Sequence, residues 1–66
     1  MSEKPVRLVI ADDHGLVREG LAALLAGHPR YMVVGQAATA DEAVGCVREL
    51  RPDVLLLDIG LPGSSG

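Results

Sequence analysis

The chain has 66 residues, 48% of them hydrophobic, a net charge of -3 and a single aromatic side chain, Tyr31. That length makes one small domain or part of one, and the acidic balance with a lone aromatic ring excludes a surface for phosphate backbones or single-stranded nucleic acid. The lone Cys46 excludes a disulfide framework, and the leader Met1-Ser2-Glu3-Lys4-Pro5 lacks the apolar core of a signal peptide. With no run of membrane-spanning length, the expectation is a cytoplasmic chain with no membrane partner.

After the leader, Val6-Arg7-Leu8-Val9-Ile10-Ala11 is apolar apart from Arg7 and rich in β-branched Val6, Val9 and Ile10, which predicts a buried parallel strand over 6–11. Asp12 and Asp13 stop it. From 15 to 26, Val17, Leu21, Leu24 and Leu25 recur at helical spacing, Gly27 ends that helix and Pro29 prevents its resumption. Met32-Val33-Val34-Gly35-Gln36-Ala37 reads as a second strand, 32–37, with Tyr31 just before it. Thr39-Ala40-Asp41-Glu42 is a capping box announcing a helix over 40–50, whose Ala43, Val44, Val47 and Leu50 are expected in the core. Pro52 ends it, Val54-Leu55-Leu56-Leu57 with Asp58 predicts a third strand over about 54–58, and 61–66 is loop by composition.

The order β-α-β-α-β with short connections predicts an α/β fold. Its sheet is parallel, with the flavodoxin-like strand order 2-1-3, and both helices lie against it. The third strand is then an edge of this chain, and an apolar unpaired edge is a template for self-association. Asp12, Asp13 and Asp58 share the carboxyl edge of the sheet, where ligands of open α/β sheets bind, and clustered carboxylates call for a divalent cation. The plainer alternative is turn or cap chemistry for the acidic pair and an Asx-turn at Asp58. His14 is expected to begin the first helix or face solvent. Arg18, Glu19, Arg48 and Glu49 read as solvated helix faces, His28 as a loop residue and Cys46 as a small buried hydrophobe.

The stretches Ile10-Ala11-Asp12-Asp13-His14, Leu16-Val17-Arg18-Glu19-Gly20-Leu21 and Arg51-Pro52-Asp53-Val54-Leu55-Leu56-Leu57-Asp58 resemble the receiver domain of two-component response regulators. The subfamily they look like carries a helix-turn-helix output domain. The resemblance covers essentially the whole chain and implies the amino-terminal part of a receiver over 1–66. It implies that Asp58 accepts a phosphoryl group from a sensor histidine kinase, and that Mg²⁺ is held by Asp12, Asp13, Asp58 and the backbone carbonyl of Gly60. DNA would be bound only through an output domain outside these residues.

Leu61-Pro62 stands where the family usually has Met-Pro, and Ser65 where it has an acid. The hydroxyl residue and lysine that receivers supply from later strands lie outside the chain, and Lys4, before the first strand, belongs to the opposite edge. The chain is therefore expected to carry acceptor and metal ligands without signalling alone. One rival is a shortened receiver acting as an interaction module without phosphotransfer. A phosphatase using Asp58 as nucleophile fits less well, because Gly60 stands where its second acid belongs. The expectation is a phosphoryl acceptor, not a multi-turnover enzyme.

Overall fold

A computed structural model describes residues 4–58. Within them β1 (Val6–Ala11), α1 (Gly15–Ala26), β2 (Tyr31–Ala37), α2 (Ala40–Leu50) and β3 (Val54–Leu57) follow one another. The strands form one parallel sheet in the order β2-β1-β3, the α/β arrangement expected from the sequence. β2 begins one residue earlier than expected, because Tyr31 pairs with Val6 and its ring packs on His28 at 4.9 Å between centroids. β3 closes at Leu57, one residue before Asp58. The tail 61–66 lies outside the described residues.

Local chemistry explains the boundaries. Thr39 caps α2 by accepting the N–H of Glu42 at 3.1 Å, and the Glu42 carboxylate accepts the N–H of Ala38 at 2.8 Å, so the box closes one residue ahead of the cap. At the other end Arg51 takes φ 48°. It precedes Pro52, whose ring disfavours the right-handed helical conformation there, so the helix stops while the Arg51 N–H still reaches Val47 O at 3.0 Å. Arg7 does not break its strand, because its guanidinium leaves the core and donates to Arg51 O at 2.9 Å. The Arg7 N–H donates to the Asp53 carboxylate at 2.9 Å and the Asp53 N–H to Arg7 O at 2.8 Å, which sets β3 alongside β1.

The described core is centred on β1. Leu8, Val9, Ile10 and Ala11 are buried, and only Ala37 and Ala43 join them. Of the α2 residues expected in the core, Ala43 is buried and the others are not. α1 has no buried residue, Val17 and Leu24 are exposed, and in α2 Val44 and Val47 are exposed while Leu50 is half-buried. Each stripe has a sheet in front of it but covers only part of it. All four residues of β3 are exposed, and two of them, Leu55 and Leu57, border with Val44 and Val47 of α2 an apolar groove of about 290 Å³. Cys46 is half-buried rather than buried.

One irregularity shapes the β2 side. Leu8 pairs with Val33 but Val9 pairs with Gly35, so Val34 is an extra residue, a β-bulge. A Cβ at Gly35 would meet Leu50 Cδ1 at 2.8 Å, Cys46 Sγ at 3.4 Å and Val9 Cγ2 at 3.6 Å, so α2 packs where a side chain would stand. The Leu50 methyl can rotate away from one added carbon. Gly35→Ala is therefore expected to be nearly neutral, while Gly35→Val, whose branches also press on Cys46 and Val9, is expected to cost about 1–3 kcal/mol. Thermal denaturation checks this, at roughly 4–8 °C of midpoint per kcal/mol for a domain this small.

Candidate functional site

Parallel pairing sets the site. Ala11 lies opposite Leu57, so the residues just after them leave the sheet side by side, and the Asp58 N–H donates to Ala11 O at 2.9 Å. The Asp12 N–H continues the ladder on the other side, to Ala37 O at 2.9 Å. Asp12, Asp13 and Asp58 are thereby gathered at the carboxyl edge. Together with His14 each offers one ligand atom, and these atoms all lie within 4.8 Å of one another. Below them a cleft of about 240 Å³ has an apolar floor of Ile10, Leu21 and Leu56 and a rim that includes Asp12 and Asp58.

Asp12 is the least exposed of the acids, its side chain 13% accessible against 35% for Asp13 and 31% for Asp58. Its Oδ1 accepts the His14 N–H at 2.8 Å, an Asx-turn that leads the chain from β1 into α1. Turn chemistry and a place in the cluster therefore coexist in one carboxylate. That backbone bond is the chief reason the Asp12 carboxyl titrates below its usual value, with the neighbouring His14 ring and Arg18 adding to the effect. The stability it contributes is present above the ordinary carboxylate pKa and is lost as pH falls through the lowered one.

His14 stands at the N-cap of α1 with its side chain 68% exposed, both as expected, while its ring also lies against the acid cluster. Nδ1 lies 3.0 Å from Asp12 Oδ1, 3.1 Å from Asp13 Oδ1 and 4.0 Å from Asp58 Oδ2. The hydrogen bond to Asp12, then the charges of Asp13 and Asp12, raise the imidazole pKa above its ordinary value. A raised folded-state pKa means the protonated ring stabilises the fold fully below about pH 6.5 and loses that effect as pH rises through the folded value. We expect the His14 ring to titrate above 6.5 by NMR, and His14→Ala to lower the denaturation midpoint at pH 6 but not at pH 9. An unshifted ring, or an equal loss at both pH values, would contradict it.

The donor set suits a hard cation. Three carboxylates supply oxygen, the ligand Mg²⁺ prefers, and oxygens opposite each other around that ion stand about 4.2 Å apart. The carboxylate oxygens here, with the His14 nitrogen, span at most 4.8 Å. Gly60 lies outside the described residues.

A response regulator receiver domain model matches residues 8–66. The chain belongs to this receiver family. Among curated relatives the receiver is 44% identical over 61 residues to response regulator GacA of Pseudomonas viridiflava, covering 92% of this chain and 28% of GacA. It is 49% identical over 61 residues to transcriptional regulatory protein BtsR of Salmonella typhimurium, covering 92% of this chain and 26% of BtsR. The chain thus spans about a quarter of the length of these relatives. Among solved structures it superposes on the signal receiver domain of the response regulator NarL from Mycobacterium tuberculosis with a TM-score of 0.90 and 39% identity. That match covers 97% of this chain and 52% of the other. Receivers are signalling domains, and no helix of the described residues is long and apolar enough to cross a membrane.

Two residues set aside on sequence grounds lie against the acid cluster. His14 is one. Arg18 is the other: its side chain, expected on a solvated face, donates from Nη1 to Asp12 O at 2.8 Å and from Nε to Gln36 Oε1 at 3.1 Å. Its position four residues after His14, on the same helical face, was the only local hint. His28 stays in the loop before β2, where its Nδ1 accepts the Arg30 N–H at 3.2 Å, and Lys4 precedes β1 at the far edge of the sheet.

Proposed function

We propose that residues 1–66 form the amino-terminal part of a receiver in which Asp58 accepts a phosphoryl group from a phosphohistidine of a sensor histidine kinase. Mg²⁺ would be held by Asp12, Asp13, Asp58 and the carbonyl of Gly60. The observation that carries this reading is the convergence of three strand-end carboxylates within 4.8 Å at the ligand edge of the sheet. An Asp58 carboxylate oxygen attacks phosphorus in line, an O–P bond forms as the P–N bond of the phosphohistidine breaks, and the departing imidazole nitrogen takes up a proton. Mg²⁺ held there would supply neutralisation of the charge on the transferring phosphoryl group. Asp12, placed low in the cluster and ionised well below neutral pH, keeps its side of the site negative. Asp13 and Asp58, more exposed, face the incoming donor.

The signal would pass to a DNA-binding output domain of the helix-turn-helix kind outside these residues, in the cytoplasm. The description of BtsR as a transcriptional regulatory protein supports that direction. The direct test treats the chain with acetyl phosphate and follows its intact mass. Uptake of one phosphoryl group that requires Mg²⁺ is expected, and metal-independent uptake would remove the reading.

A second reading, self-association without phosphotransfer, is favoured by the exposure of all four apolar residues of β3, which is an edge strand among the described residues. Sedimentation velocity decides it. A folded species that stays monomeric across concentrations removes it.

A further inference from the structure

Two oxygens of the acid cluster sit on consecutive residues, so their aim depends on the peptide that joins Asp12 to Asp13. That peptide lies past the end of β1, where the ladder no longer holds it. Its carbonyl, Asp12 O, is instead taken by the half-buried guanidinium of Arg18 at 2.8 Å. The guanidinium is held in turn by Gln36 Oε1 on β2 at 3.1 Å, while Arg18 itself is anchored in the first turn of α1, its N–H on His14 O at 2.9 Å. A planar fork with donors in fixed directions can bridge these two acceptors and hold the peptide plane, whereas the donors of an ammonium rotate freely on a flexible stem.

We propose that Arg18 is a positioning residue for the acid cluster: steadied by Gln36, it grips the Asp12 carbonyl and sets the peptide that aims Asp12 and Asp13 at a divalent cation. This rests on reading Asp12, Asp13 and Asp58 as a cation site. The charge of Arg18 makes the inference sharp. A positive group beside the site repels a second cation, so by charge alone its removal would tighten Mg²⁺ binding. Positioning predicts the opposite sign.

The test is calorimetric titration of the chain with MgCl₂, alongside Arg18→Met, Arg18→Lys and Gln36→Leu, with circular dichroism melts in EDTA to confirm folding. Residues that orient metal ligands from behind are worth about 10–100-fold in metal affinity. Arg18→Met is expected to weaken Mg²⁺ binding by at least about tenfold, and Arg18→Lys, which keeps the charge and loses the fork, to weaken it as well. Gln36→Leu, at an exposed strand position, should follow in the same direction and decides the matter with Arg18→Lys if Arg18→Met does not fold. Wild-type or tighter affinity in the folded Arg18 variants overturns the positioning role and leaves the cation site standing. Failure of the unsubstituted chain to bind Mg²⁺ overturns both.

Discussion

Asp58→Asn is expected to abolish phosphoryl uptake from acetyl phosphate in the presence of Mg²⁺, to the background of the intact-mass measurement. The substitution keeps the shape of the side chain and its backbone bond to Ala11 O, so the fold has little reason to change. What it removes is the anionic oxygen. A carboxylate can displace acetate at phosphorus and become an acyl phosphate, whereas a neutral amide is a poor nucleophile and also withdraws one of three charges from the cation site. Both losses act on the same step, and the expected result is therefore absence of product, not a slower rate. Residual labelling mapped to Asp12 or Asp13 would reassign the acceptor, and undiminished labelling elsewhere would remove the site altogether.

Asp13→Asn is expected to lower Mg²⁺ affinity by about 100-fold or more, beyond the 10–100-fold that outer residues typically command. Its consequence for stability has opposite signs with and without metal. At pH 9 in EDTA, where His14 is neutral, the ligand oxygens of Asp12, Asp13 and Asp58 lie within 4.8 Å of one another, and neutralising one carboxylate relieves repulsion, so the denaturation midpoint should rise. With Mg²⁺ in excess, the unsubstituted chain gains stability by mass action as the ion binds the folded state, and the variant gains far less. The two melting curves should therefore exchange order between EDTA and millimolar Mg²⁺. Asp12→Asn makes the same comparison less cleanly, since that carboxylate also accepts the His14 N–H at 2.8 Å and lies 3.0 Å from the His14 ring. An Asp13→Asn midpoint that responds to Mg²⁺ like the unsubstituted chain would show that this carboxylate does not ligate.

Much of the molecule is written locally. The apolar run before Asp12 and the run before Asp58 announce strands because parallel strands covered by helices carry continuous hydrophobic residues. Thr39 and Glu42 announce α2 because capping is satisfied within four residues, and Pro52 marks its end for a steric reason confined to the neighbouring residue. Once three parallel strands are granted in the order β2-β1-β3, the meeting of Asp12, Asp13 and Asp58 follows from connectivity. Side-chain burial was less legible. Val44, Val47 and Leu24 have the spacing of core residues, yet they stand exposed, because a stripe records which face is apolar and not how much of it is covered.

The chain by itself therefore determined the element order, the capping of α2 and the identity of the acids at the ligand edge, since each depends on residues adjacent in sequence or on the handedness of short crossovers. Only the tertiary structure decided that Val34 bulges, that α2 presses on Gly35, that the His14 ring lies against the acid cluster and that Arg18 reaches Asp12 O and Gln36. Those outcomes depend on the rotation of each helix about its axis and on rotamers chosen in packing. A charge four residues along a helix looks the same whether it meets water or a backbone carbonyl, until the sheet is placed beneath it.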